Sequence, residues 1–85
     1  MPSKKQIDDV WEKAKPIKGK NPDVWRKDPL GKKIRKPSYG TEGEYGWEID
    51  HKKPKIKGGS DDLRNLQPLS WKDNRKKQDK YQFKK

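Results

Sequence analysis

His51 is the only histidine in the chain and directly follows an acid, Asp50; Asn65 lies 14 positions further on and Asn74 another 9. An imidazole titrates near neutrality, so it can take a proton from water at physiological pH. A carboxylate and an amide oxygen are hard donors of the kind that Mg²⁺ or Mn²⁺ prefers. Together these groups can activate a water beside a bound cation. Each alone has a plainer reading: a structural histidine, a salt-bridged carboxylate, a solvated helix asparagine. Their order and spacing argue for chemistry.

The elements that must hold them can be read from pattern. Trp47-Glu48-Ile49-Asp50-His51 alternates apolar and polar residues, as a half-buried strand does. Lys52 to Asn65 is a basic loop with Pro54 and the turn Gly58-Gly59-Ser60. Leu66-Gln67-Pro68-Leu69 reads as the returning strand, with Pro68 at an edge or near the strand's end because it cannot donate to a ladder. Ser70 with Asp73 forms an acidic variant of a capping box, so a helix is expected from Trp71 to about Gln78. Trp71, Asn74, Lys77 or Gln78, and Tyr81 would share one of its faces. An acid, an imidazole and an amide would then converge at the end of a hairpin.

These residues carry a resemblance. Glu48-Ile49-Asp50-His51, the loop ending Gly58-Gly59-Ser60-Asp61-Asp62-Leu63, then Asn65-Leu66-Gln67-Pro68-Leu69 and Asn74-x-x-Lys77 resemble an HNH endonuclease of the ββα-metal finger group. Trp25-Arg26-Lys27-Asp28 and Glu44-Tyr45-Gly46-Trp47 resemble the lead-in of small stand-alone members. The resemblance implies an α+β fold, a two-stranded antiparallel hairpin plus helix, and hydrolysis of DNA phosphodiesters to 5′-phosphate and 3′-hydroxyl ends. It implies His51 as general base, Asp50 and Asn74 as ligands of one divalent ion, and Asn65 as the residue that ties the loop and orients the base-bearing strand. Many relatives have histidine where Asn74 stands. The amide shifts the expected preference towards Mg²⁺, then Mn²⁺, and away from Zn²⁺ or Ni²⁺. Relatives often brace the finger with a Cys-ligated zinc; this chain has no cysteine, so no structural zinc of that kind is expected.

Composition supports a polyanionic partner. Lys and Arg number 24 against 13 acids, a net charge of +11, which is the footprint of nucleic-acid binding rather than of solubility alone. Lys52, Lys53, Lys55, Lys57, Arg75, Lys76 and Lys77 are the expected backbone clamp, sequence-blind and salt-dependent. No residues suggest base readout, so low sequence specificity is expected, on DNA with RNA as the alternative. No long apolar run exists, hence no spanning segment or signal region, and a cytoplasmic monomer acting without membrane or protein partner is expected. Leu, Ile, Val and Phe number only 12, but four Trp and three Tyr argue against a disordered chain.

Upstream, Ser3 and Gln6 form a capping box before Ile7, Val10, Trp11 and Ala14, predicting an amphipathic helix over about 3–15 that ends before Pro16. Lys15 to Asn21 reads as a basic linker. Asn21-Pro22-Asp23 opens a turn or short helical piece containing Trp25. Asp28-Pro29-Leu30-Gly31 is a turn, and Lys32 to Lys36 reads either as a short strand through Ile34 or as a stretch that its lysines keep solvated. One domain over 1–85 is expected, with its core at 45–80 and a basic C-terminal tail. The rival reading is a non-catalytic basic nucleic-acid-binding module, which would have no need of Asp50, His51, Asn65 and Asn74.

Overall fold

The computed structural model describes residues 2–77; the expectations for Gln78, Tyr81 and the C-terminal tail lie outside them. Helix α1 spans Lys4–Trp11, with Ser3 at its N-cap accepting a hydrogen bond from the Gln6 N–H at 3.1 Å. The helix is shorter than the pattern predicts. Lys13 and Ala14 donate to carbonyls three residues back, Val10 and Trp11, which tightens the last turn before Pro16 and still delivers Ala14 to the core.

A three-stranded antiparallel sheet follows: β1 (Lys15–Pro16), β2 (Trp25–Lys27) and β3 (Lys33–Arg35), in that order. The stretch read as a linker therefore supplies β1, and Trp25 starts a strand rather than lying in a helical piece. Strands of two and three residues carry no periodic signal; pairing across the fold creates them. Arg26 of β2 is buried and explains the attachment to α1. Its guanidinium donates to the Glu12 and Ala14 carbonyls at 3.2 Å each, satisfying groups left over at the helix end, and to the Pro22 carbonyl at 2.8 Å.

Strands β4 (Trp47–His51) and β5 (Leu66–Ser70) form a separate antiparallel ribbon in which Trp47 faces Ser70 and His51 faces Leu66. Helix α2, Trp71–Lys77, follows without a loop. Ser70 caps it, receiving the Asp73 N–H at 3.4 Å and donating its hydroxyl to the Asp73 carboxylate at 3.1 Å. The strand, loop, strand, helix order of a ββα finger is thus present, with α1 added in front.

The core is small and aromatic. Val10, Trp11 and Ala14 pack on Ile34, Trp47 and Leu66. The Trp11 and Trp47 rings lie 5.3 Å apart, and Tyr39 meets Trp47 edge-on at 5.0 Å. Large rings bury enough area to offset the scarcity of aliphatic residues. Buried Asp28 joins the sheets: Oδ1 accepts the Leu30 and Lys32 N–H groups, and Oδ2 accepts the Ser70 N–H at 3.0 Å. Lys13 adds a second strut, donating to the Leu63 and Leu66 carbonyls at 2.6 Å.

Candidate active site

Alternation along β4 sends Glu48 and Asp50 to the face covered by α2, and His51 to the other. On α2, Asn74 and Lys77 are three residues apart and so share a face. The two ladders meet rung by rung. The Asn74 amide donates to Glu48 Oε1 at 2.8 Å, and Lys77 Nζ donates to Asp50 Oδ1 at 2.9 Å. Lys77 also donates to the His51 carbonyl at 2.7 Å, and Gln67 Nε2 donates to Asp50 Oδ2 at 2.7 Å. Asp50 and Lys77 are 3% and 1% exposed. Arg75 bridges Glu48 and Glu42 and lies over the Trp71 ring.

His51 is held from the loop. Its Nε2 lies 2.7 Å from Asp61 Oδ1, and Lys55 approaches the other Asp61 oxygen at 3.3 Å. The hydrogen bond to His51, followed by that from Lys55, keeps the Asp61 carboxyl below its ordinary range. A neutral imidazole that donates from Nε2 has its lone pair on Nδ1. Nδ1 has no side-chain or backbone partner among the described residues.

The loop that brings Asp61 back is built on its glycines. Gly58 adopts φ +89°, a conformation other residues rarely take, and a Cβ on Gly59 would run into the Lys53 carbonyl oxygen. Asn65 closes the same loop. Its Oδ1 accepts the Lys53 N–H at 2.8 Å, while Nδ2 donates to the carbonyls of Lys53 at 3.0 Å and Ser60 at 2.7 Å. It touches backbone on both sides of the loop and none of the reactive groups.

A cavity of about 490 Å³ is lined by Tyr39, Gly40, Glu48, His51, Asp61 and Asn74, among others. The residues anticipated from sequence divide at this cavity. His51 and Asn74 line it; Asp50 does not, because its carboxylate is buried and both oxygens are engaged. Lys77, expected at a phosphate, lies inside the protein as the counter-ion of Asp50. Two further cations of the expected clamp, Lys55 and Arg75, are engaged with acids, whereas Lys52, Lys53, Lys57 and Lys76 are exposed without such partners among the described residues.

Two residues were missed from sequence, Glu48 and Asp61. Glu48 was signalled by the two-residue period it shares with Asp50 opposite the Asn74, Lys77 pair. Asp61 had no such signal, since only the loop reversal brings it to His51.

Among the described residues no group of three or more His, Cys, Asp or Glu side chains is arranged to hold a metal. Besides Asp61, which holds His51, the oxygens on the cavity wall are those of Glu48, whose Oε1 accepts from Asn74 and Oε2 from the exposed Arg75, and Asn74 Oδ1, which accepts no hydrogen bond from the described residues. Two hard oxygens on one wall suit a divalent ion that keeps most of its water. The family model HNH endonuclease matches residues 34–80, more than half of the chain. Neither the curated proteins nor the solved structures contain a match.

Proposed function

The chain belongs to the HNH endonuclease family, a family of nucleases, and we propose that it is a metal-dependent endonuclease hydrolysing DNA phosphodiesters with low sequence specificity. The observation that carries this reading is an imidazole held by a carboxylate through Nε2, with no partner on Nδ1 among the described residues, in a residue that lines a cavity together with Glu48 and Asn74.

In this reading His51 Nδ1 takes the proton of the attacking water, and Asp61 retains the Nε2–H and steadies the positive charge that the ring then gains. Asn74 would hold the divalent ion, Mg²⁺ or Mn²⁺, with Glu48 joining it by releasing the exposed Arg75 from Oε2. The ion would supply Lewis-acid polarisation of the scissile phosphate and charge stabilisation for the departing 3′-oxygen. Asp50, the carboxylate suggested by sequence, could join them only on losing the Lys77 ammonium. Otherwise it anchors Lys77 against the His51 carbonyl and so sets the height of the strand end. Asn65 fixes the loop that carries Asp61. Lys52, Lys53, Lys57 and Lys76 grip the backbone, and the products are a 5′-phosphate and a 3′-hydroxyl.

Plasmid nicking tests the reading. Supercoiled DNA should become nicked and then linear with Mg²⁺ or Mn²⁺, and remain intact with EDTA. DNA binding without cleavage under any divalent ion would instead favour a non-catalytic binding module.

A further inference from the structure

The outward face of the three-stranded sheet carries charge of one sign. In the ladder Lys15 stands opposite Lys27 and Lys27 opposite Lys33, so three lysines form a single row across β1, β2 and β3. Two residues along, Trp25 stands opposite Arg35 on the same face. The alternate positions, Arg26 and Ile34, point inwards and are buried. Lys15, Lys27, Lys33 and Arg35 are all exposed, and none makes an ion pair among the described residues. Like charges directly opposite one another across strands oppose the pairing. A polyanion laid along the row would reverse that penalty.

The chemistry beside the row narrows the partner. Trp25 meets Tyr45 edge-on at 4.9 Å, and Lys33 lies 5.4 Å and 5.7 Å from the two ring centroids. Cations interleaved with aromatic rings suit a sugar–phosphate chain with its bases nearby. A membrane surface is a poor fit, because the exposed large apolar residues among those described, Ile56 and Leu63, lie on neither this sheet nor its connections. Strands β1 and β2 also precede the family-matched segment 34–80, so the family match assigns this face no role.

We propose that the row Lys15, Lys27, Lys33, with Arg35 and Trp25 beside it, is a second contact for the phosphate backbone of nucleic acid, away from the catalytic cavity. The identification of that nucleic acid as the DNA substrate rests on the function proposed above. The face adds sequence-blind affinity to that of Lys52, Lys53, Lys57 and Lys76, the members of the loop clamp left after Lys55, Arg75 and Lys77 are engaged by acids.

The test is the triple variant Lys15→Gln/Lys27→Gln/Lys33→Gln in the full chain. Binding of a fluorescein-labelled DNA duplex is followed by anisotropy in EDTA, across a series of salt concentrations. Each phosphate contact contributes about 0.9 to the slope of log K against log salt, so losing three should flatten it by about two to three and weaken binding by roughly 10-fold or more near 0.1 M salt. In Mg²⁺ the variant should show a raised KM with kcat unchanged, and its melting temperature should not fall. A flattened slope in a protein that cleaves nothing would support this contact while removing the nuclease reading. An unchanged slope in a protein whose wild type does cleave would overturn the contact and leave the nuclease reading standing. Tight binding of the sheet face to a polyglutamate peptide, with no effect of the variant on DNA, would likewise overturn it.

Discussion

Replacing Lys77 by methionine keeps the stem and removes the ammonium. Two hydrogen bonds disappear, to Asp50 Oδ1 and to the His51 carbonyl, and the Asp50 carboxylate is left buried with Gln67 as its remaining donor. Removing one partner of a buried pair costs about 3–5 kcal/mol, because the other charge stays behind uncompensated. At roughly 0.05–0.15 kcal/mol per residue, a chain of this length has on the order of 4–13 kcal/mol in total. The substitution therefore takes a large share of the stability. With about 4–8 °C lost per kcal/mol in a domain this small, the melting temperature should fall by roughly 12–40 °C.

Urea unfolding followed by tryptophan fluorescence measures the loss. Asp50→Asn in the Lys77→Met background removes the stranded charge and keeps an oxygen for Gln67, so the double variant should regain at least half of it. That non-additivity is the signature of a buried pair. A loss below about 1 kcal/mol in Lys77→Met, or a double variant no more stable than the single, would refute the burial argument. Asp50 would then be an accessible carboxylate, free to bind metal without displacing anything.

Other outcomes follow from the same geometry. Asp61→Ala should lower cleavage by about 10–100-fold, the range seen when the partner orienting a functional histidine is lost, and ¹⁵N shifts should show the His51 tautomer no longer fixed with its proton on Nε2. The pH dependence has a definite sign. The Asp61 pKa is depressed in the folded chain, so its contribution to stability is fully present above the ordinary carboxylate value of about 3.9 and is lost as the pH falls through the lower folded one. A stability difference between wild type and Asp61→Asn should accordingly be present at about pH 5 and above, read from denaturation midpoints, and close in strong acid. For the metal, Asn74→Ala and Glu48→Gln should each weaken Mn²⁺ binding in calorimetry more than Asp50→Asn does; the reverse order would place the ion on Asp50 instead.

The ribbon and its helix were legible because their signals are local: alternation from Trp47 to His51, a capping serine at Ser70, apolar and amide spacing beyond it. The β1, β2 pairing was not, since two residues, Lys15 opposite Lys27 and Pro16 opposite Arg26, are too few to carry a period, and the Arg26 bonds to carbonyls at the end of α1 are contacts across the fold. The same limit applies to the site. Lysine is almost never fully buried unless paired, so composition argued for Lys77 at the surface, and only the facing of two ladders, Glu48 and Asp50 against Asn74 and Lys77, puts it inside. Asp61 depends on a loop reversal at Gly58 and Gly59 whose geometry no periodicity encodes. Asn65 was readable at a fixed spacing, and its three backbone hydrogen bonds are what give that spacing a physical meaning.

The central claim is that the His51 imidazole draws the proton from the attacking water, and single-turnover cleavage of pre-bound DNA by His51→Ala addresses it most directly. With Mg²⁺ present, the variant should bind DNA as the wild type does and cleave it about 10²–10⁴-fold more slowly, the usual cost of losing a general base. Cleavage by that variant at the wild-type rate would contradict the account.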